Sequence, residues 1–441
     1  MSRHGGRRHN AGSIALVCVT IAASGLIAAG SADAGFRVLH SFCKKAGCPD
    51  GGLPVGGMIA DDAGNLYGAA EDGGASGLGV VFKLAKEDSG RKFSYARLHG
   101  FCTGNCGDGR LPEFPLVRDV AGDLYGTTAT GGSANGGVVF ELMPGADRWT
   151  LKILHTFCAP DSGTCREGAS PSAGLTYQGA AVGLPYDGQS PLYGTTASGA
   201  SLGGGTAFEL KLNDGKWRAR SLHDFCLPPS CASGSTPLGE LVLDSGGNIF
   251  GVANLGGAHD EGAIFELAPA GTKYNYTVIY SFCTQQTCTD GIRPGAGLAL
   301  DAFGNLYGTT TRSGTHDAGT LFELSPDGGK FDFQVLHQFC DDANCADGGA
   351  PAAPLTLEEH GNIFGTTTQF GNAQGAGTLF ELSPSDSGWT ERVLYDFCSE
   401  ANCADGLIPK SRLILDGAGN LFGTTVAGGS ADAGVAFEFK P

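Results

Sequence analysis

The 441-residue chain carries 28 Lys and Arg against 45 Asp and Glu, a formal net charge of −17, with 74 Gly and 41% apolar residues. Charged residues make up only 17%, which excludes a core-poor disordered chain. The acidic balance argues against nucleic acid or an anionic membrane surface as a partner, because both are held mainly through Lys and Arg on phosphate.

In chain order, the first feature is a leader. Arg3, Arg7 and Arg8 precede a mostly apolar stretch from Ile14 to Ala29, and Ala32-Asp33-Ala34 has the small-x-small form of a signal-peptidase site. Residues 1–34 are therefore expected to be a signal peptide, and 35–441 one domain. The apolar run is short for a membrane span, which needs about 20 residues. Removal of the leader leaves 25 basic and 44 acidic side chains, a net charge of −19. No second hydrophobic run follows, so a soluble monomer exported to the periplasm or the medium is expected, with no membrane partner.

The rest of the chain is repetitive. Leu-His-x-Phe-Cys or a close variant recurs at 39–43, 98–102, 154–158, 222–226, 279–283, 336–340 and 394–398. A second unit, Gly-Asn-Leu-Tyr-Gly, ends at Gly68, Gly126, Gly194, Gly251, Gly308, Gly365 and Gly423. A third, Gly-x-x-Phe-Glu-Leu as in Gly319–Leu324, places Phe at 82, 140, 208, 265, 322, 380 and 437. Three markers each count seven.

Each repeat reads as four short strands. In the fifth they are 297–300, 305–310, 320–324 and 331–339, separated by turn residues such as Asp301 to Gly304 and Pro326 to Gly329. No stretch shows helical periodicity with caps. Four strands per unit of about 57 residues predicts an all-β, seven-bladed β-propeller, the Gly- and Ala-rich first strand lying innermost. The chain after the leader begins with a fourth-strand sequence, Phe36–Phe42, and stops after a third-strand sequence, Gly434–Phe439. Pairing the two would close the ring and leave no open edge.

Of the fifteen Cys, Cys18 lies in the leader and fourteen fall two per repeat. They read as structural disulfides: Cys43 with Cys48, Cys102 with Cys106, Cys158 with Cys165, Cys226 with Cys231, Cys283 with Cys288, Cys340 with Cys345 and Cys398 with Cys403. A zinc centre needs four ligands in one place, which seven separated pairs do not supply.

Residues 301–324, Asp-x-x-Gly-Asn-Leu-Tyr-Gly-Thr-Thr followed by Gly-Thr-x-Phe-Glu-Leu, resemble the tandem repeat of the choice-of-anchor, GloVer-containing exported bacterial proteins. The likeness covers nearly the whole chain after the leader. It implies an exported repeat protein but brings no activity or catalytic residues with it. Such proteins often end in an anchoring tail, whereas Phe439-Lys440-Pro441 falls in the last blade, so release is expected rather than attachment.

Residues found in every repeat report the fold. The His40, His99, His155, His223 and His337 position takes Tyr280 and Tyr395 in two repeats, which removes imidazole chemistry and points to packing. The acids after each second Cys (Asp50, Asp108, Glu167, Asp290, Asp347, Asp405) could ring one face and meet a cation, but read first as turn residues. His259, Asp260, Arg312, His316 and Asp317 break the repeat in two equivalent loops and are the candidate ligand-binding residues. Sialidase boxes, Gly-x-Ser-x-Gly, His-Glu-x-x-His and P-loop sequences are absent, and the repeat pairs leave no spare Cys for a copper radical site. A non-enzymatic binding propeller follows, with no cofactor or metal and with a glycan or another exported protein as ligand. The alternative is a carbohydrate-active enzyme with its site on the loop face that carries His259 and His316.

Overall fold

The computed structural model describes residues 35–441 apart from 89, 91, 159–164, 228–230, 285, 373 and 387. The signal-peptide expectation falls on residues 1–34 and lies outside the described residues. Seven antiparallel sheets follow one another along the chain, each built from an inner, second, third and outer strand. Blade 5 is typical: Ala299–Leu300, Leu306–Thr310, Thr320–Asp327 and Lys330–Gln338. In blades 3 and 7 the inner strand is split in two, as Ala169–Pro171 with Thr176–Tyr177 and Leu407–Pro409 with Ile414–Leu415.

The repeated motifs interlock at the blade interfaces. The Phe of Phe-Glu-Leu meets edge-on the Phe of the preceding blade's Phe-Cys unit, as in Phe282–Phe322 at 5.3 Å between centroids and Phe339–Phe380 at 5.3 Å. The Gly of Leu-Tyr-Gly makes room for that ring. A Cβ on Gly308 would stand 2.5 Å from the Phe322 ring, and one on Gly365 would stand 2.5 Å from Phe380. Every blade interface holds such a cluster of buried Phe, Leu, Val and Ile.

Every outer strand carries a β-bulge at the Leu or Ile before the conserved His or Tyr, for example between Leu321 and Phe322 in their pairing with His337 and Val335. A bulge shifts the in-out alternation by one and re-aims the side chains beyond it.

The ring closes as the terminal sequences predict. Gly35–Ser41 pairs antiparallel with Val435–Lys440, with Phe36 opposite Phe439 and Val38 opposite Phe437, and completes blade 7. The seam repeats the other interfaces: the Thr424 hydroxyl donates to the Pro54 carbonyl at 2.6 Å, as Thr309 donates to Pro351 at 3.3 Å.

All seven predicted disulfides are present, each within one repeat. Cys43 joins Cys48, Cys102 joins Cys106, Cys158 joins Cys165 and Cys226 joins Cys231. In the later blades Cys283 joins Cys288, Cys340 joins Cys345 and Cys398 joins Cys403. They staple the loops between outer and next inner strands, which share one face with the loops between second and third strands.

Candidate functional site

Most repeat-wide polar groups are consumed by the fold. In five blades the His or Tyr of the outer strand reaches the acid after the second Cys: His40 lies 3.0 Å from Asp50 and His337 lies 3.1 Å from Asp347, while the Tyr395 hydroxyl donates to Asp405 at 2.7 Å. Among the described residues Nε2 of His155 and of His223 has no such partner. The same acids accept from loop amides, as Asp108 does from Cys102 at 3.0 Å and Asp405 from Ser399 at 2.9 Å. The acids thus tie five of the disulfide loops to their strands, and Asp347 and Asp405 are fully buried. Among the described residues no group of three or more His, Cys, Asp or Glu could hold a metal ion. The Asp-x-x-Gly-Asn turns behave likewise: Asp301 accepts from the amides of Phe303 and Asn305, both at 2.8 Å.

The five repeat-breaking loop residues separate into two groups. His259 is exposed, and Asp260 beside it has positive φ and one buried carboxylate oxygen without a hydrogen bond. His316 is exposed, with Nδ1 3.0 Å from the Thr315 hydroxyl and 3.7 Å from Asp341. Arg312 and Asp317, by contrast, line a groove of about 570 Å3 on the disulfide-loop face. Asp317 also shapes its own loop by accepting from the Ser313 amide at 3.0 Å, a part played by Asn135 and Asp432 in their repeats.

That groove crosses blades 5 to 7 and is completed by Gln369, Phe370, Ile408 and Lys410. Phe370 is 40% exposed and adopts φ 61° at the position of Gly73, Gly131, Gly199, Gly256 and Gly428. Only Ser313 shares its departure from Gly. A bulky residue at positive φ is strained, at a cost on the order of 1–2 kcal/mol. Gly349 leaves the space the ring fills, since a Cβ there would stand 2.6 Å from it. Phe370 thus holds an aromatic face on the surface, beside two cations.

Lys410 links the groove to the central bore. All seven blades contribute the short segment after a repeated Pro to a cavity of about 360 Å3 on the axis. Gly, Ala, Ser and Pro predominate there, and the charged exceptions are Glu113, Glu240, Lys410 and Arg412. Arg412 of blade 7 and Glu240 of blade 4 form an ion pair across the bore at 2.9 Å. Both residues also border a second cavity of about 640 Å3, lined too by Ala180, Leu184 and Pro185 of blade 3. The pair therefore stands on the axis between the two cavities.

Sequence reasoning passed over Phe370, Glu113 and Lys410. The signal was present in the repeat register: a Phe where five repeats have Gly, and charges where Val55, Ser172, Leu238, Gly295 and Ala352 stand in the others. His drew attention by its chemistry, whereas these residue types look ordinary until the ring places them at its mouth.

Fold and site together define a disulfide-stapled propeller with an asymmetric groove on its loop face. The chain belongs to the Gloeobacter/Verrucomicrobia repeat family, whose model matches residues 22–191 and 183–437. No curated protein matches its sequence. Among solved structures it is similar to PorZ, described as an essential bacterial surface component of the type-IX secretion system of Porphyromonas gingivalis. The match has 13% identity and a TM-score of 0.46, over 87% of this chain and 46% of PorZ. It is also similar to a puromycin-hydrolyzing peptidase of Mycobacterium tuberculosis, with 10% identity and a TM-score of 0.38, over 71% of this chain and 42% of the peptidase. The chain thus spans less than half of either protein.

Proposed function

We propose that the protein is an exported, non-enzymatic binding propeller that holds an acidic oligosaccharide on its disulfide-loop face. The observation that carries this reading is Phe370, a partly exposed ring kept at positive φ where five repeats have Gly, in one groove with Arg312 and Lys410. Strained residues persist where the surroundings over-determine them, and such sites cluster where ligands bind. The ring offers a flat face to a sugar, the Arg312 guanidinium can grip a carboxylate bidentately, and the Gln369 amide can bond hydroxyls. A groove of about 570 Å3 suits a short chain better than a protein partner, whose interface covers about 800 Å2 on each side.

A panel of neutral and uronate-containing oligosaccharides, assayed for binding and for products, tests the proposal. Uronate chains should bind and be recovered intact, and Arg312→Ala should weaken binding by about tenfold, the loss of one charge-assisted contact. Binding by neutral chains alone, no binding at all, or release of shortened products would contradict it.

A further inference from the structure

The pit above the Glu240–Arg412 pair has its own chemistry. Glu113 of blade 2 and Lys410 of blade 7 border it, and Glu71, at the end of the second strand of blade 1, lies close enough to act on both. Among the described residues none of these three side chains makes a hydrogen bond or an ion pair. Glu113 and Lys410 on its wall and Glu71 nearby, without a hydrogen bond or ion pair and of mixed sign, leave room for a partner with both signs. Apart from Ser170, Ser172, Ser411 and the Glu240–Arg412 pair, the rest of the lining is apolar or Gly, with Phe114, Pro115 and Leu238 at its wall.

We propose that this pit is a second binding site, for an α-amino acid with an apolar side chain. Its ammonium faces Glu71 and Glu113, its carboxylate faces Lys410, and its side chain points along the axis toward the Glu240–Arg412 floor. A cavity of about 360 Å3 has room for a molecule of that size, with the Glu240–Arg412 pair across the axis beneath it. Buried beside Glu71, the Glu113 carboxyl is pushed up to about 7, with Lys410 pulling it down. The titratable groups that face it are Glu71 and Lys410, with Glu240 and Arg412 below. An ammonium set against Glu113 favours its charged form, so binding near neutral pH releases a proton. The site stands apart from the oligosaccharide groove except for Ala352 and Lys410, which border both.

Calorimetry on the full chain after the leader, with L-leucine and L-phenylalanine as probes, tests this. Both should bind, while N-acetyl-L-leucine and L-leucinamide should each bind about tenfold more weakly or worse, one charge-assisted contact being lost in each. Titrations at pH 7 in buffers of different ionisation enthalpy should report proton release. Glu113→Gln should weaken binding by about tenfold and abolish the proton release, with an unchanged circular dichroism spectrum. Phe370→Gly, which alters only the groove, should leave leucine binding intact, so failure of the groove reading and failure of this one are distinguishable. No heat at millimolar leucine or phenylalanine, equal binding of the blocked analogues, or full affinity in Glu113→Gln would overturn the proposal.

Discussion

Glu391 stands in an outer-strand position that four other blades give to a ring. Phe36 stacks on Tyr395 at 4.0 Å, Tyr95 on His40 at 4.6 Å, Tyr276 on His223 at 3.6 Å and Phe333 on Tyr280 at 3.9 Å. In blade 6 the same position carries a carboxyl with one buried, unbonded oxygen, and burial with Asp347 and Asp342 nearby pushes it up to about 8. A carboxyl raised on folding favours the folded state below its ordinary value and loses that contribution as pH rises through about 8. Glu391→Phe should therefore melt higher than wild type, by a margin that grows from pH 4.5 to pH 8, read by thermal denaturation. His223 has the opposite sign. Its repeat has Ser233 in place of the acid, and burial lowers the ring to about 4. The imidazole is neutral when folded and charges when unfolded, so stability falls as pH drops from about 6.5 toward 4. His223→Phe should flatten that loss, and a mutant curve parallel to wild type would refute the assignment.

Among the elements, the Phe–Phe contacts between neighbouring blades join the seven sheets, and the Gly opposite each inner Phe in its own sheet makes room for them. Gly308→Ala sets a methyl against Phe322 and should cost about 1–3 kcal/mol, the range for overpacking a core. Phe322→Leu should cost about as much but relieve the clash, so the double mutant should lose less than the sum of the two. Additive losses by chemical denaturation would show that the two do not touch. The strands were legible because Gly, Asn and Asp punctuate each repeat and apolar residues alternate between the turns. The bulge before each His or Tyr was not, because Leu and Ile carry no mark of an extra unpaired residue. Candidate loops were legible only as departures in residue type. Arg312 and Asp317 reach the groove and His259 does not, since exposure depends on how neighbouring blades set the loops.

For the whole molecule, closure by Gly35–Ser41 and the bore-spanning ion pair act on the same ring. Arg412→Met leaves Glu240 without its partner and should cost about 1–3 kcal/mol, while adding Glu240→Leu should recover most of it. Equal stability of the single and double mutants would show that the pair contributes nothing. Mass mapping of the unreduced protein should return seven bridges, each within one repeat, as the structure has them. Free thiols or bridges between repeats would contradict the stapled ring.

The most direct measurement of the binding function compares wild type with Phe370→Gly in two assays, affinity for a uronate oligosaccharide and thermal stability. Glycine restores what five repeats carry and relieves the positive φ, so the variant should melt at the same temperature or higher while losing affinity about tenfold or more. That pairing marks a residue kept for its ligand at the expense of the fold. A variant that keeps full affinity, or that melts clearly lower because the ring serves only to pack against Gly349, would contradict the account.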